Sequence, residues 1–122
     1  MPTKPTSTYL LHCFIAGLQY YDVLEIWKCL KIGDQVELNP EPENGYDKNA
    51  VMVVYKGTQL GYLPRSENRH IAKILNAGLN PYEARIQSLY QEKPMFERIE
   101  VCLKIKNQKK RNKKNPEEIR GG

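Results

Sequence analysis

The apolar residues of this chain come in short runs, and each run is bounded by glycine, proline or small polar residues that favour turns. Short runs with a two-residue repeat are typical of β-strands, because alternate side chains of a strand lie on opposite faces of its sheet. Six strands are predicted, at residues 9–18, 35–38, 49–55, 59–63, 83–90 and 98–105. This pattern indicates a mainly β fold.

Two stretches between these strands have the spacing of amphipathic helices. The first, residues 22–31, begins with Asp22 and Glu25, which match a capping pair. The second, residues 67–77, follows Ser66, which can cap it, and a glycine shortly after each stretch can end the helix. Because the helices do not alternate regularly with the strands, a closed or partly closed barrel is favoured over a parallel sheet.

A length of 122 residues suits one domain with one core. We expect that domain at residues 9–106, after a flexible leader at residues 1–8. Residues 107–122 are rich in lysine, arginine and asparagine and have no apolar repeat, so no packing offsets the entropy of ordering them. This last segment is expected to be a disordered basic tail.

The net charge of +5 is unevenly distributed along the chain. Residues 1–103 hold 11 Lys and Arg against 12 Asp and Glu, a net of −1, whereas residues 104–122 hold 8 against 2, a net of +6. Binding to a phosphate backbone needs positive charge placed along that backbone. Composition therefore gives only weak support for nucleic-acid binding by the folded part.

Several classes of protein are disfavoured by what the sequence lacks. No apolar run approaches the roughly 20 residues needed to span a bilayer, and the N-terminus lacks the apolar core of a secretory signal. We therefore expect a cytoplasmic protein with no membrane partner. No nucleophile with a base, paired carboxylates or phosphate-binding glycine loop has a supporting pattern, so neither an enzyme nor a small-molecule substrate is predicted.

The three cysteines, Cys13, Cys29 and Cys102, are odd in number and far apart in the sequence. They match neither a disulfide framework nor, with His12 and His70, the ligand spacing of a zinc site. We interpret all three as reduced thiols in the core, and we expect no metal and no other cofactor.

Three sequence blocks follow one another in a specific order. A glycine precedes paired aromatics in GLQYY at residues 17–21, an acidic and polar block reads EPENGYDKNAV at residues 41–51, and a strand closes with GYLPR at residues 61–65. In this order and spacing the blocks resemble the HIRAN domain family. The resemblance covers residues 13 to about 90, which is most of the predicted domain.

The resemblance implies a fold and a function. HIRAN domains are similar to oligonucleotide-binding (OB) barrels, which implies a mainly β (α+β) protein with a small six-stranded OB-like barrel and two short helices. Members at the front of fork-remodelling helicases hold the free 3' end of single-stranded DNA, and others stand alone in bacteria. The implied function is a standalone module that holds a DNA end, as an accessory to helicases or nucleases in DNA repair or at replication forks.

The resemblance also implies roles for individual residues. Tyr20 and Tyr46 become the pair that stacks on terminal bases, and Asp47 becomes the acceptor of the 3' hydroxyl. Further predicted contacts of this pocket are Tyr21, Lys48, Arg65 and, by a looser alignment, Phe96. Gln19 stands where the helicase-linked members have an arginine, and because an amide cannot neutralise a phosphate, weaker binding is expected.

Other interpretations of the same residues remain open. Tyrosines in a small barrel commonly fill the core, Asp47 also fits a turn residue that bonds its own backbone, and Arg65 fits a solvated surface charge. The alternative function is a protein-interaction or assembly domain with a non-specific polybasic tail. Failure of Tyr20, Tyr46 and Arg65 to converge on one groove would favour that alternative.

Overall fold

The computed structural model describes residues 7–107, which form six strands, two α-helices and two 3-10 turns. In chain order these are β1 (Ser7–Phe14), α1 (Tyr20–Ile26), a 3-10 turn (Trp27–Cys29), β2 (Gln35–Pro40), β3 (Val51–Tyr55), β4 (Thr58–Tyr62), α2 (Arg65–Asn76), β5 (Tyr82–Leu89), a second 3-10 turn (Met95–Glu97) and β6 (Ile99–Lys106). Neither helix of this part of the chain is long and apolar enough to cross a membrane. Residues 1–6 of the predicted leader and the predicted tail beyond Asn107 lie outside the described residues.

All six strands belong to one antiparallel sheet with the order β1-β6-β5-β2-β3-β4, which confirms the predicted mainly β class with two helices. The sheet curls until its two edges meet just beyond β1. There Ala16 and Tyr62 exchange backbone hydrogen bonds of 2.8 and 2.7 Å. Among residues 7–107 the edges meet at this isolated bridge and not through the continuous ladder of a closed barrel.

The hydrophobic core joins one face of the curled sheet to α2. Alternate residues of β5 and β6 are buried, as a two-residue repeat predicts, and β3 is buried along its whole length. From α2, Ile71, Ala72 and Leu75 pack into the same cluster. Each fully buried Val, Leu or Ile side chain contributes about 1.5–3 kcal/mol to folding, so this single cluster stabilises both the sheet and α2.

A glycine at position 61 allows the two edges of the sheet to meet. A Cβ atom at this position would lie 2.5 Å from Ile15 Cγ2 and 2.7 Å from the Ala16 carbonyl oxygen. Atoms do not approach so closely without a shift of the backbone, so the contact requires glycine. One residue earlier in β4, the Leu60 carbonyl accepts the backbone N–H of Gln19 at 2.9 Å. The segment between β1 and α1 is thereby held against β4.

The first helix differs from its prediction. β1 ends at Phe14, not at residue 18, and α1 occupies Tyr20–Ile26, not residues 22–31. The predicted capping pair is wrong, because Asp22 lies inside the first turn and the N-cap is Gln19, whose side chain makes no capping bond. The cause is tertiary, since the bond between Gln19 and β4 starts the helix early. Both tyrosines of the first sequence block therefore lie in the first turn of α1.

The second helix also begins earlier than predicted. α2 starts at Arg65 after an extended Pro64, and the predicted cap at Ser66 is wrong because Ser66 lies in the first turn and no side chain caps the helix. Its end is confirmed, since Gly78, with a φ of +89°, donates its N–H to the Leu75 carbonyl at 3.0 Å. β1 begins at Ser7, before the predicted start, because it pairs with the end of β6.

The prediction that all three cysteines lie in the core holds only for Cys13. Cys29 is exposed at the end of the first 3-10 turn, and Cys102 is partly exposed on β6. Burial raises the pKa of the Cys13 thiol to about 12, and Glu67 and Glu100 add to this effect. Cys13 is therefore protonated and unreactive at neutral pH.

Candidate nucleic-acid interface

A cavity of about 460 Å³ lies where the segment after β1, the β2–β3 loop and the start of α2 come together. Its volume falls within the range of small-ligand sites. The surface is mostly apolar with a few polar groups, and the lining residues are Ala16, Gly17, Asn44, Tyr46, Asp47, Ala50, Tyr62, Leu63 and Arg65. We call this site the Tyr46 cavity.

The β2–β3 loop is shaped by the side chain of Asn44. Its Oδ1 accepts the backbone N–H groups of Tyr46 at 2.8 Å and Asp47 at 3.0 Å. Its amide donates to Glu41 Oε1 at 3.1 Å. Asparagine favours such turns because its side chain bonds the backbone two residues ahead. The turn leaves Tyr46 92% exposed, so this tyrosine does not fill the core.

Asp47 is held by hydrogen bonds to both of its carboxylate oxygens. Oδ1 accepts the N–H of Asn49 at 2.9 Å, and Oδ2 accepts the amide of Asn68 at 2.9 Å. The bond from Asn49, then that from Asn68, and in smaller part the charge of Arg65 lower the pKa of Asp47 below its ordinary 3.8. Asp47 is therefore ionised at neutral pH.

These bonds confirm that Asp47 supports its own turn, as one interpretation of the sequence expects. They do not use all of its capacity, because an ionised carboxylate has about four acceptor positions. Asp47 can therefore stabilise the loop and still accept a hydrogen bond from a ligand.

The start of α2 supplies Arg65 to the cavity lining and Asn68 to the support of Asp47 behind it. Arg65 and Asn68 are three residues apart, so they are neighbours on the helix surface. Asn68 is only 3% exposed, and its buried amide finds its acceptor in Asp47. The Arg65 side chain is 73% exposed, with Nε 3.6 Å from Asp47 Oδ2 and Nη2 donating to the Tyr46 carbonyl at 3.1 Å.

The end of β4 supplies a second tyrosine, Tyr62. Its hydroxyl donates to Glu41 Oε1 at 2.9 Å, the same oxygen that the amide of Asn44 reaches. Burial raises the pKa of Tyr62, and its bond to Glu41 adds to the shift, so the phenol stays neutral. This bond anchors the ring in the cavity wall.

The resulting site suits a flat group that is apolar on its faces and polar at one edge. Tyr46 and Tyr62 offer aromatic surface, Asp47 offers an acceptor and Arg65 offers donors. The charges of Asp47 and Arg65 cancel, so the lining is not uniformly negative. Within residues 7–107, no three His, Cys, Asp or Glu side chains are placed to hold a metal ion.

The structure brings three of the predicted contact residues, Tyr46, Asp47 and Arg65, into this one cavity. The other five predicted contacts lie outside the lining: Gln19, Tyr20, Tyr21, Lys48 and Phe96. Lys48 follows Tyr46 and Asp47 in the loop and is exposed. The roles of these five residues remain predictions.

Gln19 contacts the cavity wall, and two exposed tyrosines follow it at the start of α1. The amide of Gln19 donates to the carbonyl of Gly17, which lines the cavity, at 3.1 Å. The rings of Tyr20 and Tyr21 meet edge to face, with 5.2 Å between their centroids, and both side chains are exposed. Gln19 therefore supports the cavity wall, and the tyrosines extend an aromatic surface along the start of α1.

Sequence reasoning missed three residues that shape the site: Asn44, Tyr62 and Asn68. Asn44 and Tyr62 lie within the recognised blocks, so their position was a signal that was not used. Asn68 had a weaker signal, a polar side chain one helical turn after Arg65. Only the packing of α2 against the loop shows that its amide is buried and paired with Asp47.

Comparison with known proteins gives the same fold. The profile of the HIRAN domain family matches residues 9–106. A crystal structure of a protein from Lactobacillus plantarum is similar with a TM-score of 0.70 and 24% identity, over 84% of this chain and 97% of that one. The crystal structure of the HIRAN domain of human HLTF is similar with a TM-score of 0.60 and 20% identity, over 91% and 88% respectively. No curated protein gave a significant match. The chain therefore belongs to the HIRAN domain family.

Proposed function

We propose that this chain is a nucleic-acid-binding module that holds the 3' end of single-stranded DNA in the Tyr46 cavity. The observation that carries the proposal is the meeting of an exposed aromatic ring, Tyr46, with the acceptor Asp47 and the donor Arg65 around one apolar cavity. Membership of the HIRAN family supports a DNA-binding module.

Affinity in this proposal comes from stacking on an aromatic ring. A base that stacks on Tyr46 gains about 1–3 kcal/mol whatever its identity. The apolar surface of Ala16, Ala50 and Leu63 excludes water around the rest of the nucleoside. The module would therefore bind terminal nucleotides without reading their sequence.

Selection of an end in this proposal comes from Asp47. A free hydroxyl donates a hydrogen bond to a carboxylate, whereas an internal phosphate is repelled by it. The exposed guanidinium of Arg65 can meet the phosphate that precedes the terminal nucleoside. Gln19 lacks the charge for this task, so the contribution of Arg65 matters more here.

A module of this kind acts on DNA that another protein exposes. We propose that it serves as an accessory to a helicase or nuclease in DNA repair or at replication forks. This role rests on the family resemblance and on the absence of a recognised catalytic pattern in the sequence.

Fluorescence anisotropy with 5'-labelled ten-nucleotide strands tests the preference for an end. We expect a strand with a free 3' hydroxyl to bind roughly tenfold more tightly than the same strand with a 3' phosphate, the order expected when one hydrogen bond to a charged acceptor is lost. Equal affinity for the two strands, or no binding of either, would remove the proposal.

A pair of substitutions separates the two parts of the site. Asp47→Ala should remove the preference for a free 3' hydroxyl and leave stacking in place. Asp47→Asn, which keeps an oxygen acceptor for the buried amide of Asn68, covers the case in which the alanine variant does not fold. Tyr46→Ala should weaken both strands alike by about 1–3 kcal/mol. Tyr9→Ala is the matched control, because Tyr9 is 56% exposed and lies outside the cavity lining.

The alternative function, a protein-interaction or assembly domain, has one observation in its favour. Tyr20 does not line the cavity with Tyr46 and Arg65, so the predicted convergence is only partial. The exposed rings of Tyr20 and Tyr21 would then serve a protein partner. Anisotropy with a protein truncated after Lys106 decides between the two functions. An assembly domain without its basic tail should bind neither the strand with a free 3' hydroxyl nor the strand with a 3' phosphate.

A further inference from the structure

A second cavity, of about 580 Å³, lies at the opposite end of β4 from the Tyr46 cavity. It lies between the first 3-10 turn and the β3–β4 turn, and three lysines line it, Lys28, Lys31 and Lys56. Among the described residues that line this cavity, Asp34 is the one acidic residue. The lining therefore has a net charge of +2, from three lysines and one aspartate. We call this cavity the lysine cleft.

The lysines of the cleft are exposed to solvent, and Lys56 Nζ also lies over the Tyr55 ring, 5.3 Å from its centroid. None of the three lysines takes part in the ion pairs found within residues 7–107. The carboxylate of Asp34 accepts a hydrogen bond from the hydroxyl of Tyr55 at 2.7 Å. The same hydroxyl shares its proton with the carbonyl oxygen of Cys29 at 3.0 Å, so Tyr55 links the last residue of the 3-10 turn to Asp34.

The two cavities are connected by α1 and the 3-10 turn that follows it. Gly17 lines the Tyr46 cavity just before α1, and Cys29 lines the lysine cleft where the 3-10 turn ends. α1 packs on β4, and its exposed side chains include Tyr21, which is 80% exposed, and Leu24, which is 48% exposed. The exposed surface of α1 between the cavities therefore carries aromatic and apolar side chains together with the carboxylates of Asp22 and Glu25.

The distance between the cavities fits a short length of nucleic acid. Their shared strand β4 runs from Thr58 at the lysine cleft to Tyr62 at the Tyr46 cavity. Four steps of about 3.3 Å along a strand give roughly 13 Å. At about 3.4 Å per stacked nucleotide, this distance corresponds to roughly four nucleotides.

We propose that the lysine cleft binds the phosphodiester backbone of a DNA strand about four nucleotides from the end that the Tyr46 cavity holds. The inference deepens the proposed function and rests on it. The charges of Asp47 and Arg65 cancel, so these two residues give the Tyr46 cavity no net positive charge. The lysine cleft has a net positive charge and can therefore attract the phosphates of the strand. A total span of at least four nucleotides agrees with the site sizes of about 4–16 nucleotides known for single OB folds.

If the lysine cleft binds the backbone, removing its charge should weaken only strands that are long enough to reach it. The test is a triple substitution in the full chain, Lys28→Gln with Lys31→Gln and Lys56→Gln, measured with a short and a long strand. Binding of a three-nucleotide strand should change less than twofold, whereas binding of a ten-nucleotide strand should fall tenfold or more at low salt. Its salt slope should decrease by about 2, because each phosphate contact of a single strand contributes about 0.7.

The matched control triple replaces Lys73, Lys93 and Lys106 with glutamine. These exposed lysines lie outside both cavities, and the control removes the same total charge. The control should keep its affinity for the ten-nucleotide strand to within about threefold. Equal losses in the two triples, or equal losses for short and long strands, would overturn the inference.

The exposed Cys29 provides a second test in the unmodified protein, because it lines the lysine cleft. A saturating ten-nucleotide strand should slow alkylation of Cys29 by iodoacetamide at least fivefold, and a three-nucleotide strand should not. Cys102 is the internal reference, since it is partly exposed on β6 and lies outside both cavities.

The two tests together separate failure of the cleft from failure of the end site. Unchanged alkylation of Cys29 with saturating ten-nucleotide strand, while the preference for a free 3' hydroxyl persists, would overturn the cleft alone. A different result would support the cleft and overturn the end site. In that result the strand protects Cys29, but its affinity is the same with a free or a blocked 3' end and is unchanged by Tyr46→Ala. Failure of the wild-type protein to bind any strand would overturn both.

Discussion

At the residue scale, the carboxylate of Asp47 has two roles, one in the stability of the loop and one in the proposed recognition of a ligand. Its bonds to Asn49 and Asn68 stabilise the loop that presents Tyr46, and its remaining acceptor positions face a ligand site. A substitution at this position therefore changes both stability and recognition. The pH dependence of stability separates the two tasks, because it needs no ligand.

The contribution of Asp47 to stability should be lost only in acid. Its pKa is lowered in the folded protein, so its stabilising effect is complete above the ordinary value of 3.8 and disappears as the pH falls through the folded value below 3.8. Asp47→Asn should therefore be less stable than wild type by a constant amount from pH 7 to about pH 5, and this difference should shrink below about pH 4.

Urea denaturation of both proteins across this range measures the effect. The bond from Arg85 also lowers the pKa of Glu83, but Glu83 is present in both proteins and its effect cancels in the difference. A stability difference that stays constant down to pH 2 would show that the charge of Asp47 does not support the loop.

At the element scale, the contact between β4 and the segment after β1 positions the site. The bridge between Ala16 and Tyr62 brings two walls of the Tyr46 cavity together. Gly61 permits the approach, and the bond from Gln19 to Leu60 then starts α1. Both the cavity and the path toward the lysine cleft depend on this one junction.

Gly61→Ala should destabilise the protein by about 1–3 kcal/mol, because the added methyl group overlaps Ile15 and the Ala16 carbonyl. It should also weaken DNA binding, since Ala16 and Gly17 would move. Gly45→Ala is the control for stability, because a Cβ there meets nothing within 4 Å and the change should stay within about 0.5 kcal/mol. Thermal denaturation measures both variants, and equal melting temperatures would contradict the steric account.

At the scale of the whole molecule, the total charge is a poor guide to where a polyanion can bind. Residues 1–103 have a net charge of −1, yet the fold gathers Lys28, Lys31 and Lys56 around one cleft. Of the remaining excess positive charge, Lys104 and Lys106 lie on β6, and a net of +4 lies beyond the described residues, where it can add to binding without selecting an end.

Truncation after Lys106 removes six positive and two negative charges, which is a net loss of +4. The preference for a free 3' hydroxyl should remain, because it comes from the Tyr46 cavity. The salt dependence of binding should become shallower, since fewer phosphates are neutralised. Anisotropy titrations at several salt concentrations measure both quantities. Complete loss of binding after truncation would mean that the folded domain is a passive carrier of the tail.

The sequence alone determined the features that depend on near neighbours in the chain. The break between the predicted strands 49–55 and 59–63 is confirmed as a turn at Lys56 and Gly57, and the glycine after the second helix, Gly78, is confirmed as its end. Both follow from backbone preferences of a few residues. The order of the three blocks predicted the family, and two of these blocks contain Tyr46, Asp47 and Arg65.

The tertiary structure decided what depends on distant residues. α1 starts at Tyr20 because a β4 carbonyl bonds Gln19, a contact across 41 residues that no local cap reveals. Asn68 meets Asp47 across 21 residues, and Lys56 joins Lys28 from another element. Such contacts are set by the packing of the sheet and its helices, and local preference carries no information about which distant partner a side chain will meet.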